Sequence, residues 1–342
     1  MKGKYYIQAS AAISPQESFF GTFIPQLQTL ADKNLLRIKE PDYSGFIPPN
    51  SLRRMSRVLK MGLVAALQCL RNGGVNTPGA IITGTGKGSL QDTERFLKNI
   101  TEYAETALNP TPFIQSTYNS VNGLIALQQK YMQYNNTFVH RGFSFEHALL
   151  DSMMQLNEGN TDTVLAGAFE EISDEHFYIK SRIGYWKETL TQPAELLTSG
   201  TPGTIAGEGS AFFLIGNQPG NDPQACIEGI KMLYKPTEEK LHAALETFLA
   251  QHDLKPADID LLITGQNGDT NHDHYYHNLV VQYFPATNSL PFKTLCGEYD
   301  TASAFALWIA TRVIKEQGLK KVLIYNHFYG DQHTFLLLSN DH

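Results

Sequence analysis

The residue type best suited to nucleophilic chemistry is cysteine, and Cys296 lies in a glycine-bearing segment, PFKTLCGEYDTASA (291–304). A reactive cysteine needs an electropositive setting or a base that yields thiolate. Glu298 and Asp300 stand beside it and oppose ionisation, so inert packing is the better reading of this thiol. Gly84-Thr85-Gly86-Lys87-Gly88 has the look of a phosphate loop. Such a loop needs Ser or Thr after Gly-Lys to reach a metal, and here Gly88 follows, so a tight backbone turn is expected instead. His272, Asp273, His274 and His277 form a histidine-rich knot with two members three residues apart. No fourth ligand or second cluster accompanies it, and the reading is a solvated polar loop rather than a metal site. Ser144 and Ser152 lack the Gly-x-Ser-x-Gly context of a serine hydrolase.

The elements that would position these residues alternate between strand and helix. Residues 4–13 read as a first strand, and 50–71 as a helix with apolar residues at helical spacing, stopped by Asn72-Gly73-Gly74. Ala80–Thr83 is a buried-type strand entering the glycine turn, with a helix from about Leu90. Asn136–Val139 is a strand before a helix from Ser144 to Leu156, and Thr163–Gly167 is a third strand. Residues 168–204 read as irregular and carry Tyr178, Tyr185 and Trp186, as a covering loop would. Strands at Ser210–Ile215, Asp258–Thr264, Lys321–Tyr325 and Phe335–Leu338 and helices at Glu238–Gln251 and Thr301–Gly318 complete an α/β pattern. No linker, low-complexity run or sequence-level repeat divides the chain.

The 342 residues, 42% hydrophobic and 18% charged, are an ordinary globular composition with ample material for a core. The net charge of −7, and the lack of any long basic run beyond Arg53-Arg54-Met55-Ser56-Arg57, argue against a nucleic-acid surface. Three widely spaced cysteines (Cys69, Cys226, Cys296) are expected as reduced thiols. The amino terminus has no apolar signal-peptide core, and no run approaches the roughly 18 residues of a membrane span, so a cytoplasmic protein is expected.

Several segments, in order, resemble β-ketoacyl synthases. Arg53–Arg57 resembles the family's early Arg-Met segment, IITGTGKGSLQDTERF its glycine-rich stretch, and TPFIQSTYNSVNGLIAL its Pro-Phe-x-x-Pro segment. IAGEGSAFFLIG is close to its Gly-Glu-Gly-Ala-Gly strand entry. DIDLLITGQNGDTNHD stands where a strand ends in His-Gly-Thr, PFKTLCGEYDTASAFALW resembles Lys-Ser-x-x-Gly-His-x-x-Gly-Ala-Ala-Gly, and YNHFYGDQHTFLLL the terminal Asn-Ser-Phe-Gly-Phe-Gly-Gly stretch. The resemblance implies a thiolase-like α/β fold: two pseudo-related halves, layered α/β/α, with residues 1–170 and 205–342 as the halves and 171–204 as the covering loop.

The resemblance also implies a cysteine–histidine–histidine site, and the sequence departs from it. Gly142 falls at the cysteine, Gly265 at the first histidine and Glu298 at the second, while Lys293 matches the family lysine. The family charges its cysteine with an acyl group at a helix N-terminus and stabilises developing negative charge with the histidines. The implied function is a non-catalytic, chain-length-factor-like subunit that partners an active ketosynthase and an acyl carrier protein in fatty-acid, polyketide or aryl-polyene-type synthesis, as a homo- or heterodimer. Two alternatives stay open: an acyltransferase or decarboxylase rebuilt around His140, Arg141, Cys296 or Glu298, and an acyl-binding module with no ketosynthase partner. No cofactor or metal is expected.

Overall fold

The computed structural model describes residues 3–20 and 23–341. Among these, ten strands join one sheet: β1 (Tyr5–Ile13), β2 (Ala80–Gly84), β3 (Tyr134–Phe138), β4 (Thr163–Glu170), β5 (Gly209–Gly216), β6 (Ala225–Tyr234), β7 (Leu261–Thr264), β8 (Asn288–Pro291), β9 (Lys321–Phe328) and β10 (Gln332–Ser339). Their order across the sheet is β8-β7-β9-β10-β6-β1-β5-β4-β2-β3. The first five strands lie third–second–fourth–fifth–first, and the second five repeat that order. The directions repeat too: β2 runs parallel to β3 and β4, β5 is antiparallel to β4 and β1. Likewise β7 runs parallel to β8 and β9, and β10 is antiparallel to β9 and β6. The joint is the short antiparallel pairing of β1 with β6. The chain is thus two α/β halves of one topology. We propose that they divide between Gly216 and Ala225, later than the 170 and 205 expected, because β5 completes the first half's ladder.

Alternation along the strands sorts side chains into three apolar layers. Leu165, Phe212 and Leu214 of the first half pack outward against helix α1 (Arg57–Gly73), which ends at Gly74 in the left-handed conformation (φ 64°). Leu262, Leu323 and Leu337 of the second half pack outward against helix α6 (Glu238–Ala250) and helix α7 (His274–Tyr283). Val164, Phe213, Ile263 and Ile324 point the other way, onto a shared central layer. That layer is built by helix α4 (Ser144–Asn157) and helix α8 (Ala302–Gln317). Helix α8 is buried on nearly every face from Ala302 to Ile314, as its alanine-rich, unstriped sequence requires. Helices α2 (Leu90–Glu102), α3 (Ser120–Gln129) and α5 (Asp174–Arg182) complete the numbering.

Two segments differ from the sequence reading. The covering region is not wholly irregular: Ser173 caps α5 by accepting from the His176 N–H, with Asp174 and Glu175 in the first turn and Lys180 and Arg182 in the last. The histidine knot is not all loop either, since His274 and His277 sit on α7, whose inner face buries Tyr276 and Leu279.

Candidate functional site

The carboxyl ends of β2, β3 and β9 and the Cys296 segment converge where the two halves meet. Gly84 lets the end of β2 approach the start of α4, since a Cβ there would lie 2.3 Å from the Ser144 backbone. Between β3 and α4 the chain turns sharply through His140, Arg141 and Gly142, and Arg141 takes a positive φ of 50°. Such a strand-to-helix elbow pushes one side chain out into the site. That side chain is Arg141. Gly142, which sequence alignment puts at the nucleophile, faces inward: a Cβ on it would lie 2.2 Å from Phe328 Cβ. Its N–H donates to Gln332 Oε1 at 3.0 Å.

The glycine-rich loop holds a carboxyl, and the carboxyl is the chain's own. The N–H groups of Gly86 and Lys87 and the Thr85 hydroxyl donate to the Glu170 carboxyl at 2.7, 3.0 and 3.1 Å. Such a backbone nest favours an anion. Lys87 Nζ reaches across to Asp300 at 2.8 Å, tying the first half to the second. Burial and the nearby Asp300 carboxylate push the Glu170 carboxyl up to about 8.

The second half supplies a buried ion pair. Lys293 Nζ donates to Glu298 Oε2 at 2.7 Å and to the His327 carbonyl at 2.9 Å, with both side chains 1% exposed. Asn267 Nδ2 donates to the same Glu298 oxygen at 2.7 Å. Burial holds the Glu298 carboxyl above its ordinary range despite Lys293. Thus Asn267, not Gly265, is the residue after β7 that reaches Glu298. A side chain on Gly265 would instead meet Asn326 and Tyr276. Asp273 of the histidine knot orders this loop by accepting from the Asn267 and Gly268 N–H groups at 3.2 and 2.8 Å.

Cys296 is fully buried, and burial pushes its thiol well above the ordinary range. Its carbonyl lies where a side chain on Gly207 would fall, 1.9 Å from the ideal Cβ, so the Gly-Glu-Gly strand entry needs glycine there to pack against the Cys296-Gly297 backbone. The acid of that motif, Glu208, is equally structural: it pairs with Arg57 and accepts from the N–H groups of Ile38 and Ile172 at 3.1 and 3.3 Å. Cys69 is buried and raised, and burial lifts Cys226 to about 11.

Two cavities share the wall formed by Phe328 and Tyr329. The inner one, about 20 Å³, is lined by Glu170, Glu171, His176, Lys180, Trp186, Glu298 and Asp300, among others. It has room for about one water and none for an acyl chain. Unpartnered polar atoms converge on it: Glu171 Oε2, Glu298 Oε1, Trp186 Nε1 and both ring nitrogens of His176. Burial and Lys87 lower His176 to about 4 and Lys180 to about 8. The outer cavity is an open bowl of about 510 Å³ in front of the elbow, with His140, Arg141, Tyr185 and Gln332 in its walls. Sequence reasoning missed Asn267, Glu170, His176, Lys180 and Tyr329. Only the Ser173 cap and the aromatic residues of the covering segment hinted at α5.

Two matched α/β halves with polar residues of both converging at their junction form a thiolase-like fold. Residues 29–191, just under half of the chain, match the family model of the β-ketoacyl synthase N-terminal domain. Among solved structures, a β-ketoacyl synthase from Burkholderia phymatum STM815 superposes with a TM-score of 0.80 at 14% identity, over 99% of each chain. AntDE:AntF, a type II PKS acyl-carrier protein in complex with its ketosynthase bound to the hexaketide, gives 0.78 at 14% identity over 99% of each chain. The ketosynthase ApeO in complex with its chain length factor ApeC, from Xenorhabdus doucetiae, gives 0.75 at 16% identity over 99% of this chain and 98% of that one. At these identities the likeness is one of fold. No curated protein sequence matches the chain.

Proposed function

We propose that this chain is a non-catalytic ketosynthase-like subunit that pairs with an active β-ketoacyl-acyl-carrier-protein synthase, in the manner of a chain length factor, in fatty-acid, polyketide or aryl-polyene-type synthesis. The observation that carries this reading is the elbow: the position that must present a nucleophile presents the guanidinium of Arg141. Arginine forms no acyl-enzyme, and the cysteines are buried with raised thiols. The resemblance puts Gly265 and Glu298 at the partner histidines; Asn267 donates to Glu298, and a buried carboxyl would oppose the negative charge that decarboxylation develops.

The pairing surface in this reading is the open edge of the sheet at β3. That strand ladders with β2 on one side only. Met132, Tyr134 and Val139 around it are 92%, 43% and 44% exposed, as a free edge awaiting a partner would be. The opposite edge, β8, is four residues long and ends in Pro291, which suits a solvated edge. An interface on the order of 2,000 Å² is expected. The test is incubation with malonyl- and acyl-loaded carrier protein, followed by mass spectrometry of the intact chain, with and without a co-encoded ketosynthase. The expected result is no covalent adduct on this chain and chain extension only with the partner present. A stable acyl adduct would identify an enzyme with a rebuilt site instead.

A further inference from the structure

The bowl in front of the elbow has no role in the reading above. Its size, about 510 Å³, falls in the range of small-molecule sites. Two non-glycine residues with positive φ, Arg141 (50°) and Tyr329 (47°), both line it. Neither arginine nor tyrosine adopts this conformation without cost, and such outliers gather where a side chain must be presented to a ligand. Tyr329 opens the turn between β9 and β10 and packs edge-on against Tyr185, with ring centroids 4.2 Å apart. Phe328 stands edge-on to Tyr329 at 4.6 Å. These rings make an aromatic wall and floor, and they part the bowl from the inner cavity.

Against that apolar floor the elbow sets one unpaired charge. Among the described residues Arg141 forms no side-chain hydrogen bond and no ion pair. The other bowl groups are committed: Gln332 bridges the Gly142 N–H and the His140 carbonyl, His140 is hydrogen bonded to His147 at 2.9 Å, and Asp331 lies 3.7 Å from Lys235. Lys87 and Lys180, behind the aromatic wall, are answered by Asp300, Glu170 and Glu298, whereas among the described residues Arg141 has no carboxylate partner. A guanidinium is a planar fork of donors that matches a carboxylate with two parallel hydrogen bonds.

We propose that the bowl binds a free organic carboxylate with a flat apolar body, its carboxylate on Arg141 and its body against Phe328, Tyr329 and Tyr185. The elbow then holds an acid by an ion pair where a nucleophile would hold an acyl group by a bond. The carboxylate remains unactivated, because nothing in the bowl attacks it and no leaving group is present. Occupancy would also cover the mouth beside the covering segment, making this a ligand-sensing face of the subunit. Val139 lines both the bowl and the proposed pairing edge, so the test uses the chain without a partner, and its failure and that of the preceding reading are separable.

The test is titration of the purified chain with benzoate and 2-naphthoate, followed by calorimetry and by NMR shift mapping, with benzamide and inorganic phosphate as controls. We expect saturable benzoate binding, tighter 2-naphthoate binding, and benzamide at least roughly tenfold weaker. Arg141→Gln should weaken benzoate by roughly tenfold or more, while Lys98→Gln on the distant face of α2 leaves it unchanged. Equal binding of benzamide and benzoate would overturn the proposal, as would an unaltered affinity in Arg141→Gln. So would phosphate binding without benzoate binding, which would mark a plain anion site. If Arg141→Gln fails to fold, the benzoate–benzamide comparison on the natural chain decides alone.

Discussion

Replacing Lys293 by methionine keeps the length and most of the volume of the side chain and removes its charge. The shape change alone should cost under about 1.5 kcal/mol. The electrostatic cost falls on Glu298, which is 1% exposed and keeps only the Asn267 amide at 2.7 Å as a donor. A carboxylate stranded there would take up a proton rather than stay charged. Protonation sets a ceiling: relative to an ordinary glutamate near 4.3, a proton taken up at pH 7 costs about 2.7 × 1.36, or about 3.7 kcal/mol. Since burial already raises Glu298 in the natural chain, the penalty on the variant falls somewhat below this ceiling. We expect about 3 kcal/mol at pH 7.

The sign of the pH dependence follows from the same group. In the variant the folded state keeps a proton on Glu298 that the unfolded state has released, so the folded state binds more protons. Stability of the variant must then fall as pH rises above about 4.3, by up to about 1.4 kcal/mol per pH unit. The penalty should shrink to about 1 kcal/mol at pH 5. Urea denaturation of both proteins at pH 5, 6 and 7 measures it. A penalty that is flat across this range, or below about 1 kcal/mol at pH 7, would refute the account of Lys293 and Glu298 as a buried, mutually dependent pair.

Arg141→Cys should fold normally, because its backbone already accepts a Cβ, and should place a thiol in the bowl that iodoacetamide alkylates. Gly142→Cys should lose about 1–3 kcal/mol by overpacking against Phe328 and leave its thiol protected; intact-mass labelling and denaturation check both. Glu146 is buried and pushed up to about 7, so natural stability should decline as pH rises through 7. Glu146→Gln should flatten that decline and be more stable by about 2–3 kcal/mol at pH 9, read from denaturation midpoints. Light scattering at micromolar concentration should give a dimer, alone or with a co-encoded ketosynthase, and Met132→Glu at the β3 edge should weaken it at least tenfold without altering the midpoint of unfolding.

The alternation of strand and helix was legible because most elements carry their own local signal: the apolar stripe of α1 with its glycine stop, the buried run of β4, the all-apolar face of α8. What was not legible depended on partners distant in sequence. Asn288–Pro291 carries no strand pattern of its own and becomes a strand because Leu261–Thr264 offers it a parallel ladder. Ala225–Tyr234 mixes Glu228 and Lys231 into its run, and its pairing with β10 contains a register shift at Leu337/Leu338 that breaks simple alternation. The duplicated topology came from the family resemblance and not from any internal sequence repeat, because the halves share strand order and direction, not residues. At the site, the resemblance pointed to Lys293 and Glu298, which the structure pairs, and to Gly142 and Gly265, beside which the structure presents Arg141 to the bowl and Asn267 to Glu298. A one-residue choice between Arg141 and Gly142 is decided by φ, which sequence does not print.

That one-residue difference changes the chemistry of the site. With glycine at the elbow, the site would be an emptied version of an acyl-transfer centre. In the reading proposed above, Arg141 there reverses its charges: a cation takes the place proposed for a nucleophile, and the carboxyl of Glu298 lies buried against Lys293. The two groups are not paired with each other, since Glu298 is taken by Lys293 and Asn267 behind the wall of Phe328 and Tyr329. Neither group can therefore be cancelled by the other, and each must have its own reason to be there. Glu298 has one inside the protein, in satisfying Lys293. Arg141 has none among the described residues, and its strained backbone makes it a costly place to keep a spectator. The carboxylate proposed for the bowl supplies a reason from outside the chain.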